Sequence, residues 1–119
     1  MKIKIYSYSV CGTCKKALKW LNENDLNYEL VNILETPPGK DILIKAIHKY
    51  GNKKIVFNTS GASYRKIGAS VVSEMNEKQA INALTNDPKL IKRPFLITPK
   101  GDVLVGFKVN QWEESLKKL

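Results

Sequence analysis

Tyr6-Ser7-Tyr8-Ser9-Val10-Cys11-Gly12-Thr13-Cys14-Lys15-Lys16-Ala17-Leu18 is the stretch on which the reading of this chain turns. It carries both cysteines of the protein, spaced C-x-x-C, where one hydrophobic period gives way to another. Upstream, Ile3 and Ile5 alternate with Lys2 and Lys4, the period-2 pattern of a strand over about residues 2–7. Downstream, Cys14, Ala17, Leu18 and Leu21 recur at i, i+3, i+4 and i+7, the stripe of an amphipathic helix over about 12–24. Cys11 therefore falls at or just before a helix N-terminus, where unpaired N–H groups and the helix dipole favour a thiolate. Lys15 and Lys16 add positive charge one turn on. Cys14 lies on the stripe that faces the sheet and is expected to be the less exposed thiol. The expectation is a division of labour: Cys11 attacks and Cys14 resolves.

Two blander readings compete. Paired free cysteines can be small apolar residues and nothing more. A structural zinc site needs about four ligands as a rule. The further candidate, His48, sits in a lysine-rich helix and reads as a solvated surface residue. No metal is expected.

At 119 residues and 13.5 kDa the chain fits one domain, 1–119, large enough for a core without staples. No apolar run has the length of a signal peptide or a membrane span, so a cytoplasmic protein without membrane contact is expected. In that compartment a C-x-x-C is redox-active or sensing more often than structural. The net charge of +9 comes from 18 Lys, Arg65 and Arg93 against 11 acids. The lysines are scattered, so they read as a solvated surface with a modest bias toward anionic partners. No basic-aromatic motif points to direct nucleic-acid binding. A monomer is expected.

Taken in order, a second strand is expected at about 27–33, with Tyr28, Leu30 and Val31 as its apolar content. The crossover between the two strands is long enough for parallel pairing. Pro37-Pro38-Gly39 then opens a helix over about 40–50 whose stripe is Leu43, Ile47 and Tyr50, with Gly51 past its end. The stretch 52–75 is less regular, with one helical turn near Tyr64–Gly68. Asn76 with Gln79 reads as a capping box for a helix that Asp87-Pro88 ends. Phe95–Thr98 and Val103–Phe107 read as a hairpin about the turn Pro99–Asp102, and a last helix starts from an Asn110 cap and includes Trp112 and Leu116. This order predicts an α/β, thioredoxin-like (glutaredoxin-like) fold. Its four-stranded mixed sheet carries a helical insertion between strands 2 and 3, at about 38–90.

Several pieces together carry a family resemblance. They are Cys11-Gly-Thr-Cys14-Lys-Lys-Ala, Asn58-Thr-Ser-Gly-Ala-Ser-Tyr-Arg-Lys-Ile67, Leu90-Ile-Lys-Arg93-Pro94-Phe-Leu-Ile, and Val105-Gly106-Phe107. In this order and spacing, over essentially the whole chain, the sequence resembles the glutaredoxin-linked arsenate reductases (ArsC) and the related Spx-MgsR regulators. The resemblance implies that Cys11 is the nucleophile and that Cys14 matches the second cysteine of Spx-type members. It implies a site role for Arg93, which precedes the family's proline, Pro94, cis in this fold. Gly12, Thr13 and Lys15 complete the implied site as binding or structural residues. The two further arginines that hold the oxyanion in arsenate reductases fall at Asn58 and Gly106.

Two functions follow from the resemblance. One is a thiol–disulfide reductase acting on a disulfide, a glutathione adduct or an oxyanion. It would have no bound cofactor, with glutathione or a thioredoxin or glutaredoxin as reductant. The other is a redox-sensing transcriptional regulator that binds the RNA polymerase α subunit, with Gly51 near the glycine that Spx uses in that contact.

Overall fold

The computed structural model describes residues 2–117; the first and last residues of the expected 1–119 domain, Met1, Lys118 and Leu119, lie outside them. The chain divides into two compact units, Met1–Thr36 with Arg93–Leu119, and Pro37–Lys92.

In the first unit, β1 (Ile3–Ser7) leads through the thiol stretch into α1 (Gly12–Glu23) and then β2 (Tyr28–Asn32). After Arg93 come β3 (Phe95–Ile97), β4 (Val103–Val105) and, last in the chain, the helix Val109–Leu116. The sheet order is β2-β1-β3-β4, with β1 and β2 parallel and the other pairings antiparallel. This mixed sheet is the one expected from the sequence. The hairpin turn closes as Thr98 N–H donates to Asp102 O at 2.8 Å, with Gly101 at φ 89 supplying the left-handed residue.

The core of this unit is Ile3, Ile5, Ala17, Leu21, Leu96, Leu104, Trp112 and Leu116. Ala17 and Leu21 arrive there from the predicted stripe, while Leu18 packs only partly buried at its rim. Trp112 is fully buried, and its indole N–H donates to Gly106 O at 3.2 Å, so its one polar atom is satisfied.

β2 forms within the expected 27–33, but it is poorly covered. The sequence counts Leu30 in its apolar content, yet this residue is 57% exposed. β2 is the outermost strand on its side, so it has a neighbour on one flank only. The final helix also starts earlier than the sequence suggests. Lys108 is its N-cap without a side-chain cap bond, and Asn110 lies inside the first turn.

The second unit is helical: α2 (Lys40–Tyr50), α3 (Ala62–Ile67), α4 (Ala69–Glu74) and α5 (Glu77–Asn86), with 3-10 turns at Lys53–Val56 and Pro88–Leu90. The helix that closes the first unit, Val109–Leu116, is then α6. Leu43 and Ile47 are buried on α2 as expected, but Ala46 completes the stripe and Tyr50 is half-buried. Gly51 ends α2 at φ 66, the left-handed conformation glycine adopts without strain. The Asn76–Gln79 capping box is fully formed, its two bonds 2.8 and 2.9 Å long. α4 and both 3-10 turns have no counterpart among the expected elements. A bridge pairs Phe57 with Ile91, and Phe57 packs against Tyr64 at 6.2 Å.

Candidate functional site

Strand β1 ends and α1 begins within four residues, and that abrupt change of direction builds the site. Cys11 is the N-cap of α1, at φ −84 and ψ 116. An N-cap side chain ordinarily accepts from an unpaired amide of the first turn, and Ser, Thr, Asp or Asn usually serves. Here the acceptor is a sulfur: Cys14 N–H donates to Cys11 Sγ at 3.3 Å. The turn itself is fixed by Cys11 N–H donating to Tyr8 O at 3.0 Å.

The two thiols differ sharply in access. Cys11 is half-exposed beside Val10, which is 71% exposed, whereas Cys14 is 1% exposed. Both are free thiols. Burial pushes the Cys14 pKa up to about 11, and hydrogen bonding with the Cys11 side chain adds to the rise. The Tyr8 backbone and the Ser7 side chain hydrogen-bond to Cys14 and act in the opposite direction. At neutral pH Cys14 is therefore a protonated thiol, with the groups that would support its thiolate already around it. This asymmetry is what a division into attacking and resolving cysteines requires.

Arg93 and Pro94 stand in the same unit as the thiols. The guanidinium carbon of Arg93 lies 5.2 Å from the centre of the Tyr8 ring, within cation–π range. Tyr8 thus touches three parts of the site: its carbonyl holds Cys11 N–H, its backbone reaches Cys14, and its ring carries Arg93. The Arg93–Pro94 bond is cis, and Pro94 O accepts from Gly106 N–H at 2.8 Å. Gly12 and Thr13 are exposed between the two cysteines, and Lys15 is exposed one residue on. Arg65 belongs to the other unit, where its Nη1 donates to Ser60 O at 2.6 Å.

A cleft of about 520 Å³ opens beside Cys14. Tyr8, Ser9, Cys14 and Lys15 form one side of it. Leu30, Asn32 and Glu35, from β2 and the turn that follows, form the other. No motif in the sequence marks Ser7, Tyr8 or the β2 residues as part of a site. Their place there depends on the register that pairs Ser7 with Asn32, which no local pattern encodes. His48 pairs with Glu77 at 2.5 Å, away from the thiols in sequence and in the other unit. Among the described residues no group of three or more His, Cys, Asp or Glu is placed to hold a metal ion.

Comparison with known proteins agrees with this architecture. A model of the ArsC family matches residues 6–115. The chain is 41% identical over 97% of its length to an uncharacterised protein of Bacillus subtilis, YusI, covering 98% of that protein. It is 28% identical over 85% of its length to the global transcriptional regulator Spx of Streptococcus mutans, covering 73% of it. It is 29% identical over 86% of its length to an arsenate reductase of Escherichia coli, covering 72% of it. Among solved structures, an ArsC family related protein of Bacteroides fragilis superimposes with a TM-score of 0.85 at 39% identity, over 96% of this chain and 98% of that one.

Proposed function

The chain belongs to the ArsC family, and on that premise we propose that it is a thiol–disulfide reductase and a poor arsenate reductase. The observation that carries this reading is the asymmetry of the two thiols: a half-exposed Cys11 accepting an amide hydrogen bond, and a buried Cys14 held protonated.

The chemistry divides between them. Cys11 thiolate attacks one sulfur of a substrate disulfide, forms a mixed disulfide, and expels the other sulfur as a thiolate that takes a proton from water. Cys14 then loses its proton and attacks the Cys11 sulfur. The Cys11–Cys14 disulfide forms, and the second substrate thiol leaves. The substrate gains two electrons and two protons, and the cysteine pair loses both. A low-molecular-weight thiol such as glutathione, or a protein dithiol, resets the pair.

Arsenate is the weaker substrate because the family places arginines at the positions of Asn58 and Gly106. Each missing charge-assisted contact costs about 1.5–3 kcal/mol of oxyanion binding. Gly106 is also held at φ 77, so an arginine there would add backbone strain to any gain in charge. The test is a side-by-side assay of insulin, a glutathione mixed disulfide and arsenate. Disulfide reduction with arsenate turnover near background is expected; arsenate turnover matching that of established arsenate reductases would overturn the reading.

A second reading is a redox-sensing regulator that binds the α subunit of RNA polymerase. The similarity to Spx supports it, as does the setting of Gly51, where a Cβ would meet nothing within 4 Å and the surface is open. A pull-down with the carboxyl-terminal domain of polymerase α, in both redox states, discriminates. Redox-dependent capture without turnover would favour the regulator.

A further inference from the structure

The segment that carries β2 has the wrong charge for the anionic partner that the net charge suggests. From Trp20 to Gly39 the chain holds four of its 11 acids and none of its 20 Lys and Arg. Glu23, Asp25, Glu29 and Glu35 are all exposed. This acidic segment contains β2, whose outer flank no other strand among the described residues pairs. Natural proteins blunt such edges with lysines, prolines or bulges. A protein with 18 Lys to distribute places none on β2 and instead leaves Leu30 57% exposed there. Parallel pairing sends β2 in the same direction as β1, so its end at Asn32 lies opposite Ser7, where the thiol turn begins. The cleft bounded by Leu30, Asn32 and Glu35 on that side has Cys14 in its opposite wall.

We infer that the free edge of β2 docks an extended, basic polypeptide segment and delivers its disulfide to Cys11. The inference rests on the reductase reading and names its substrate class. The segment adds as a fifth strand, its backbone pairing with β2 while an apolar residue covers Leu30. Its cations face Glu29, which stands cross-strand from Lys4 of β1, and Glu35 of the cleft, whose one lining cation among the described residues is Lys15. A second copy of this chain docking through the same edge would set these acids against each other, which disfavours that occupant. The redox step is that of the reductase: the bound disulfide accepts two electrons and two protons and leaves as two thiols, and Cys11 and Cys14 become a disulfide.

Binding is tested apart from chemistry in the Cys11→Ser, Cys14→Ser protein by NMR titration. The probes are a synthetic peptide alternating Lys and Val about a central Ser, and its counterpart with Glu for Lys. The Lys peptide should shift amides of residues 28–36, and the Glu peptide should bind about tenfold more weakly or not at all. Combined Glu29→Lys and Glu35→Lys should reverse the preference, and Leu30→Ser, which removes the apolar contact without adding charge, should weaken the Lys peptide with unchanged thermal unfolding. In the native protein, the same peptides with a central Cys as a mixed disulfide with mercaptoethanol should differ about tenfold in kcat/KM, in the same direction. Shifts away from β2, equal binding of both peptides, or concentration-dependent shifts without peptide would overturn the docking site. Binding with no reduction of either peptide would instead overturn the reductase reading.

Discussion

The sheet has two outer strands, and they are opposites. β4 is sealed: Val103, Leu104 and Val105 are all buried, Leu104 packs into the core, and Trp112 of α6 fills the same cluster. β2 is open, with only intermediate or exposed residues along its length. Topology alone does not distinguish them, since each has one neighbour. Burial does. One flank of the unit supplies cohesion and the other supplies access, and the cleft beside Cys14 lies on the open flank. A stable scaffold holding the cysteine pair at its less protected margin is the arrangement that a site on rigid elements would need.

This contrast makes substitutions on the two flanks differ in kind. The largest effect expected is on chemistry alone: Cys11→Ser should bring disulfide turnover to background while thermal unfolding is unchanged, because Cys11 is half-exposed and serine is a competent N-cap. Alkylation followed by mass spectrometry should label Cys11 before Cys14 at neutral pH; labelling of Cys14 first would reverse the assigned roles.

On the sealed flank the expected effect is on stability. Trp112→Ala should cost about 3–5 kcal/mol by denaturant unfolding. On the open flank Leu30→Ala should cost less than about 0.5 kcal/mol. Similar costs for the two would erase the distinction between the flanks.

Between the flanks lies Cys14, whose burial gives an intermediate effect that depends on pH. Its folded pKa is raised to about 11, above its ordinary value of 9.0. The folded state therefore holds this proton more tightly than the unfolded chain. The resulting stability is present in full below pH 9 and is lost as pH rises toward about 11, by about 2–3 kcal/mol. Unfolding of the reduced protein against pH, compared with Cys14→Ala, isolates this contribution. Parallel curves for the two proteins would show that Cys14 is not the group responsible.

Much of the fold was legible because its signals are local. The alternation at Ile3 and Ile5, the stripe of α1, the glycine after α2 and the Asn76–Gln79 box each fix an element within a few residues. α4 has six residues, too short for a period to repeat, and the 3-10 turns are shorter still. The exposure of Leu30 was illegible for a different reason. Whether an apolar strand residue is covered depends on what lies next to the strand, which is settled by the order of the sheet. The same division holds at the site. Cys11, Cys14, Arg93 and Pro94 declare themselves by motif, while the contacts of Ser7 and Tyr8 with Cys14 arise only once β1 and α1 are packed.

The aromatic cluster behind the sheet has an optical consequence. Trp20 and Trp112, the chain's two tryptophans, meet edge to face at 5.9 Å, with Phe107 4.8 Å from Trp112. Both indoles belong to the unit that carries the thiols, while four of the six α-helices among the described residues belong to the other. Indole fluorescence and far-ultraviolet circular dichroism therefore observe largely different parts of the same chain. Melting curves from the two signals, recorded on one sample, superimpose for a single cooperative transition and separate if the Pro37–Lys92 unit melts independently of the unit that carries the thiols.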